Sequence, residues 1–192
     1  MNNEKKHQRG VLRRKRNTLS KAEVVRLSET ICELVYDSPD WSKYRKIHIY
    51  LPITKNNEVN TWPLINRLWA QQPEVQISTS VYKQSRSLRH VIINSGIEIQ
   101  DDEQGIPTPI SNYQQKDSSY DLIIVPVLGF DEKLNRLGYG RGVYDMFLAQ
   151  HEAALKIGFA YEMLKLGQIE NETHDVALDE VATEKRLYIV GA

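Results

Sequence analysis

The stretch YDLIIVPVLGF, residues 120–130, is a short and almost unbroken apolar run that ends in glycine and phenylalanine. Period-2 alternation would mark a strand with one wet face. A continuous run of this length marks a strand buried on both faces, as in a parallel sheet covered by helices. Directly after it comes NRLGYGRGVYD, residues 135–145, with Gly138, Gly140 and Gly142 at alternate positions between Arg136 and Arg141. Three glycines so close together add backbone entropy that folding must overcome. A plain reversal does not need them, so the glycines point to a ligand that comes close to the backbone.

Working outward, helical and extended patterns alternate. LSKAEVVRLSETICELVY, residues 19–36, sets Ser20 three positions before Glu23, the spacing of a capping box, and then a helical apolar face. KIHIYLPI (46–53) alternates as a strand through Ile47, Ile49, Leu51 and Ile53. TWPLINRLWA (61–70) begins with Thr61 as N-cap and Pro63 in the first turn. VQISTSVY (75–82) and LRHVII (88–93) read as strands, and residues 100–119, polar with two prolines, as one long loop. GVYDMFLAQHEAAL (142–155) predicts a helix; KIGFAY (156–161) and RLYIVG (186–191) predict strands. The expected fold is α/β: a single domain over residues 1–192 whose mainly parallel or mixed sheet of about five to seven strands is flanked by helices. Its ligand cleft should lie at the carboxyl ends of the strands.

Composition limits the function classes. The 25 basic and 25 acidic residues cancel, so the chain as a whole offers no field for nucleic acid or an anionic membrane. Cys32 is the single cysteine and lies in an apolar helical pattern, which reads as an inert buried thiol. No apolar run reaches the roughly eighteen residues of a membrane span, and MNNEKKHQRG is too polar for a signal peptide. The expectation is a soluble cytoplasmic protein, monomeric by default.

A glycine-rich turn between a buried strand and a helix suits phosphate, because amides at a helix start carry partial positive charge. Arg136 and Arg141 would add charge-assisted hydrogen bonds, and Asp145 could hold magnesium. The plainer alternative is a flexible connection with solvated arginines and an aspartate favoured by the helix dipole. The spacing fits neither the dinucleotide fingerprint nor the P-loop. In KKHQRGVLRRKR, Lys5, Arg9 and Arg13 fall at i, i+4 and i+8 on one helix face, which alone reads as a solvated basic surface.

VPVLGFDEKLNRLGYGRGVYD (125–145) resembles the signature of the 5-formyltetrahydrofolate cyclo-ligase family, also called 5,10-methenyltetrahydrofolate synthetases. KKHQR resembles that family's K-x-x-x-R, IYLPITKNNEVNT its strand followed by an acidic residue, and THDVALDEVATE its C-terminal H-D-x-x-L-D-x-V-x-T-E. These matches run in order from residue 5 to residue 184. The resemblance implies conversion of 5-formyltetrahydrofolate and ATP, with Mg2+, into 5,10-methenyltetrahydrofolate, ADP and phosphate, through a phosphorylated formyl (iminium phosphate) intermediate. It implies ATP contacts from Lys5, Arg9, Arg136, Leu137, Gly138, Tyr139, Gly140, Arg141, Gly142, Val143 and Tyr144. Leu51, Glu58, Tyr139, Gly140, Arg141, Gly142 and Val143 would meet the folate, with Glu58 on the pterin. Asp145 and Asp175 would hold magnesium, and Arg141, Tyr144 and Asp145 would serve catalysis.

Tyr144 reads equally well as a core aromatic, His174 reads as structural, and Arg13, Arg14 and Arg16 read as surface residues, Arg13 being the first candidate for the site. The chain departs from the family pattern around the folate: Val143 replaces a tyrosine, Ser80 or Val81 stands where proline is common, YEML lacks a glutamine, and ENETHD lacks a proline. The Leu51-to-Glu58 spacing is about two residues longer than the pattern. Two rival functions follow, an ATP-using ligase or kinase with another acceptor, and a folate-binding protein without catalysis.

Overall fold

The computed structural model describes residues 3–82, 88–110, 114–115 and 119–190. Helices α1 (Asn3–Arg16) and α2 (Lys21–Asp37) precede strand β1 (Lys46–Ile49), and helix α3 (Trp62–Gln71) follows it. Strands β2 (Gln76–Tyr82), β3 (Leu88–Ile93), β4 (Ile99–Asp101), β5 (Pro107–Pro109) and β6 (Gln114–Gln115) come next. Then come β7 (Leu122–Pro126), β8 (Gly129–Phe130), β9 (Arg136–Leu137) and helix α4 (Val143–Ala149). Strands β10 (Leu155–Phe159), β11 (Glu180–Ala182) and β12 (Leu187–Ile189) complete the order.

The main sheet runs β12-β11-β10-β7-β1-β2-β3-β6. Strands β11, β10, β7, β1 and β2 are mutually parallel; β12 pairs antiparallel with β11, β3 with β2, and β6 with β3. The mixed, mainly parallel sheet is the expected one, with eight strands where five to seven were expected.

Strand β7 shows why the opening run is apolar throughout. Leu122 and Ile124 join the core under α1, α2 and α3, while Ile123 and Val125 join a second core under α4. All four are fully buried, so a polar residue at any of them would meet no water on either face. Strand β1 is also covered on both faces. His48 is as buried as Ile47 and Ile49, and the strand stops at Ile49, leaving Leu51 and Ile53 in the following loop.

The Ser20–Glu23 capping box is present: Ser20 Oγ accepts from the Glu23 amide at 3.2 Å, and Glu23 Oε2 accepts from the Ser20 amide at 2.8 Å. Thr61 sits at the α3 N-cap without capping, because its buried hydroxyl donates to the Tyr50 carbonyl at 2.7 Å. Asn60 Oδ1 takes over that task, accepting from the Trp62 amide at 3.1 Å. Helix α4 ends six residues earlier than its sequence pattern, since a turn from His151 to Ala154 delivers Leu155 to β10 beside Leu122.

The expected long loop at residues 100–119 is corrected in part. It contributes to the hairpin β4–β5 and contains the two-residue β6. Asp102 Oδ1 accepts from the Gln104 and Ile106 amides, and Gly105 adopts φ +66°, which closes the hairpin. Residues 111–113 and 116–118 of that segment lie outside the described residues.

From β1 the chain moves through α3 to β2, in one direction along the sheet; from β7 it moves through α4 to β10, in the other. The two crossovers put α3 on one face and α4 on the opposite face, as their buried residues show. Strand order therefore reverses between the neighbours β1 and β7, and a crevice opens beyond their carboxyl ends. Among the described residues no helix is long and apolar enough to cross a membrane.

Candidate active site

A cleft of about 800 Å³ occupies that switch point, bounded by Tyr50 and Leu51 after β1 and Pro126 at the end of β7. Every candidate site residue but one lines it. Leu137 is the exception: it lies in β9, is 1% exposed, and its side chain packs into the core.

Asp131 sets the entry to the glycine loop. Its buried carboxylate accepts from the Lys133, Asn135 and Ile169 amides and from Asn135 Nδ2, at 2.9–3.1 Å. The β8–β9 turn is thereby fixed, and Arg136 leads into the loop from a defined strand end. Gly140 and Gly142 adopt φ +87° and +68°, conformations that side chains strain to reach. Gly138 does not need positive φ; a Cβ there would meet only open space. Among the described residues, no hydrogen-bond acceptor takes up the amides of Gly138, Tyr139, Gly140 or Gly142.

Helix α1 lies along the cleft. Lys5, only 4% exposed, sets its Nζ 2.5 Å from Asp175 Oδ2 and 3.8 Å from Glu172 Oε2. Arg9 Nε donates to the Gly138 carbonyl at 3.0 Å, and Arg13 Nη2 to the Tyr139 carbonyl at 3.4 Å. The i, i+4, i+8 face is therefore a cleft wall rather than a solvated surface. Arg16, read from the sequence as a surface residue, is 3% exposed and donates to the Tyr139 hydroxyl at 2.8 Å. It continues the same helix face one turn beyond Arg13, which is the signal that would have found it. Arg13 is exposed yet lines the cleft, and Arg14 stays on the surface as expected.

The acidic side chains meet at the same end. Arg136 Nη2 lies 2.6 Å from Asp145 Oδ1, and Nη1 donates to the Val176 carbonyl. Asp145 Oδ1 also accepts from the Val176 amide at 3.3 Å, so the start of α4 is held against the residue after Asp175. This brings Asp145 and Asp175 to one place from thirty positions apart in the chain. Burial alone would raise the Asp175 carboxyl; hydrogen bonds from Lys5 and the Glu172 amide outweigh it and hold the group below the ordinary aspartate range. Ligand atoms of Glu172, His174 and Asp175 lie within 4.8 Å of one another. Carboxylate oxygens are the donor type a hard divalent cation takes, and here the Lys5 ammonium lies against them. Glu172 carried no sequence signal. Arg141 is exposed and lines the cleft.

At the other end, Glu58 is 5% exposed. Its Oε2 accepts from the Ile53 amide at 2.8 Å, and its Oε1 accepts from the Tyr139 hydroxyl. Burial raises its carboxyl above the ordinary glutamate value, more than these two donors lower it. The extra length before Glu58 is taken up by a tight turn at Thr54–Asn56 and by Asn57 at φ 51°, whose side chain donates to the Leu19 carbonyl at 2.9 Å. Tyr144 lines the cleft and packs against Phe147 and His48. Ser80, at one of the departures from the pattern, also lines the cleft, between His48 Nε2 at 2.6 Å and His90 Nδ1 at 3.3 Å.

The family model for 5-formyltetrahydrofolate cyclo-ligases matches residues 1–184. The chain belongs to the 5-formyltetrahydrofolate cyclo-ligase family. The enzyme of that name from Mus musculus is 28% identical over 200 residues, covering 96% of this chain and 95% of the relative. A probable cyclo-ligase of Schizosaccharomyces pombe is 27% identical over 175 residues, 83% of this chain and 85% of the relative. Among solved structures, the 5,10-methenyltetrahydrofolate synthetase of Aquifex aeolicus superposes with a TM-score of 0.82 at 26% identity, over 98% of this chain and 93% of the other. The synthetase of Mycoplasma pneumoniae shares the fold, with a TM-score of 0.71 at 23% identity over 94% and 98% of the two chains. As a cyclo-ligase family member, the chain is an enzyme of folate one-carbon chemistry.

Proposed function

We propose that residues 1–192 act as one monomeric cytoplasmic unit that converts 5-formyltetrahydrofolate and ATP into 5,10-methenyltetrahydrofolate, ADP and phosphate. One observation carries this reading: a single cleft gathers cations and carboxylates from α1, the glycine loop and residues 172–175 at one end, with a buried glutamate at the other.

A formamide oxygen is a very poor leaving group, and this explains the need for ATP. The formyl oxygen attacks the γ-phosphorus, the bond to the β-bridging oxygen breaks, and ADP leaves. The N10 lone pair then forms the new C–N bond, the C–O bond of the phosphorylated formyl group breaks, and phosphate departs while N10 loses its proton. The protein's part is to position and to neutralise, as in other phosphoryl transfers.

Lys5, Arg9, Arg136 and Arg141 would face phosphate oxygens, with the loop amides from Gly138 to Gly142 beside them. Asp145 and Asp175 would hold magnesium, with Glu172 near; the ion supplies neutralisation of phosphate charge when bound. Leu51 and Val143 would flank the folate. Glu58 would accept from pterin N–H groups, holding N10 beside the activated carbon. Tyr144, between the two ends, would orient the reacting groups.

Ligand-dependent melting tests this reading against its rivals. A specific ligand at about 100 times its Kd stabilises a fold by about 2.7 kcal/mol. MgATP and 5-formyltetrahydrofolate should each raise the melting temperature. A rise with MgATP alone would favour a different acceptor, and a rise with folate alone would favour a binding protein.

A further inference from the structure

Tyr139 ties the two ends of the cleft together. Its backbone belongs to the glycine loop, and its hydroxyl donates to Glu58, the carboxylate at the opposite end. The same oxygen accepts from Arg16 Nη2 at 2.8 Å, and the Arg13 and Arg16 guanidinium carbons lie 5.5 and 5.6 Å from the centre of its ring. The loop is held from below as well: Arg9 donates to the Gly138 carbonyl and Arg13 to that of Tyr139. The loop thus forms a strap. One end occupies Glu58 and the other occupies arginines suited to phosphate.

We infer that Tyr139 is a positioning residue that couples folate binding to nucleotide binding by standing in for the folate's donor at Glu58. This rests on the proposed function. Glu58 Oε2 accepts from the Ile53 amide and Oε1 from the Tyr139 hydroxyl. A pterin that donates to Oε1 takes the place of the Tyr139 hydroxyl there. A phosphate that recruits Arg9 competes with the Gly138 carbonyl. Both competitions undo the same strap, so the ligand that binds first bears the cost of releasing it and the second does not. That is positive coupling, and by linkage it is the same factor for both ligands.

The test measures folate affinity by calorimetry with and without the β,γ-methylene analogue of ATP and magnesium, for the full chain and for Tyr139→Phe. In the unsubstituted protein the analogue should tighten 5-formyltetrahydrofolate binding by about fivefold or more. In Tyr139→Phe that factor should fall to about one, while folate alone binds at least as tightly as before, because its competitor is gone. Glu58→Gln serves as the comparison for simple loss of a ligand contact and should weaken folate binding outright. If Tyr139→Phe weakens folate binding and keeps the coupling factor, Tyr139 is a direct contact or a prop, and the inference falls. If the unsubstituted protein binds neither ligand, the proposed function falls first and takes the inference with it.

Discussion

Glu58 is where charge and burial conflict most at the scale of single residues. The carboxyl must be ionised to accept from a pterin, yet burial raises its pKa above the ordinary glutamate value. Folate binding should therefore strengthen as pH rises through that raised pKa, with an acid limb displaced upward from a normal glutamate. Titrating folate affinity between pH 4 and 8 checks this; Glu58→Gln should bind weakly and lose the limb. Asp145 presents the opposite test, since its neighbours Arg136 and Val176 hold it in place for charge rather than for packing. Asp145→Asn keeps the shape but leaves the buried Arg136 guanidinium without its counter-charge, so turnover should fall by about a hundredfold or more and the melting temperature should fall with it. Wild-type turnover in that variant would remove Asp145 from the mechanism. Arg141→Ala should raise the KM for ATP more than that for folate.

At the scale of elements, the site depends on α1 keeping its place, and a glycine sets that place. A Cβ on Gly129 would lie 2.5 Å from Leu12 Cδ1 and 3.2 Å from the Leu164 carbonyl. Gly129→Ala should push α1 outward, costing about 1–3 kcal/mol of stability and weakening ATP binding at the same time, because Lys5 and Arg9 move with the helix. Denaturant midpoints and nucleotide titration report the two effects, and full affinity in a destabilised variant would separate α1 from the site. The elements that sequence reading found were those written in local terms: the two-sided apolar run of β7, the Ser20–Glu23 box of α2, the i, i+4, i+8 face of α1. Those it missed depend on distant partners. The side chain of Leu137 turns inward because β9 pairs with β8, and Arg16 is buried because Tyr139 reaches it from across the cleft. The β4–β5 hairpin escaped because an aspartate turn and paired prolines look like loop until a second strand is there to pair. The candidate site was legible through its motif, and the pairing of its charges was not.

The whole molecule carries a pH signature in its second core. His48 is fully buried with its pKa well below the usual value, and burial together with His151 lowers His90 to about 4. The unfolded chain takes up protons below about pH 6.5 while the folded chain resists until about 4, so this stability is fully present above 6.5 and drains away between the two values. The denaturant midpoint should be lower at pH 5 than at pH 7, and less steeply so in His90→Gln. An unchanged midpoint would contradict the neutral buried histidines. The fold as a whole brings α1, the loop after β1, the glycine loop and residues 172–175 to a single cleft, and their joint chemistry is best read from turnover. Incubated with 5-formyltetrahydrofolate and MgATP, the protein should generate the near-ultraviolet absorbance of the methenyl product, with one ADP formed per product, and both should form about a hundredfold or more slower with Asp145→Asn. ADP formed with no methenyl product, or no reaction in the unsubstituted protein, would contradict the proposed function.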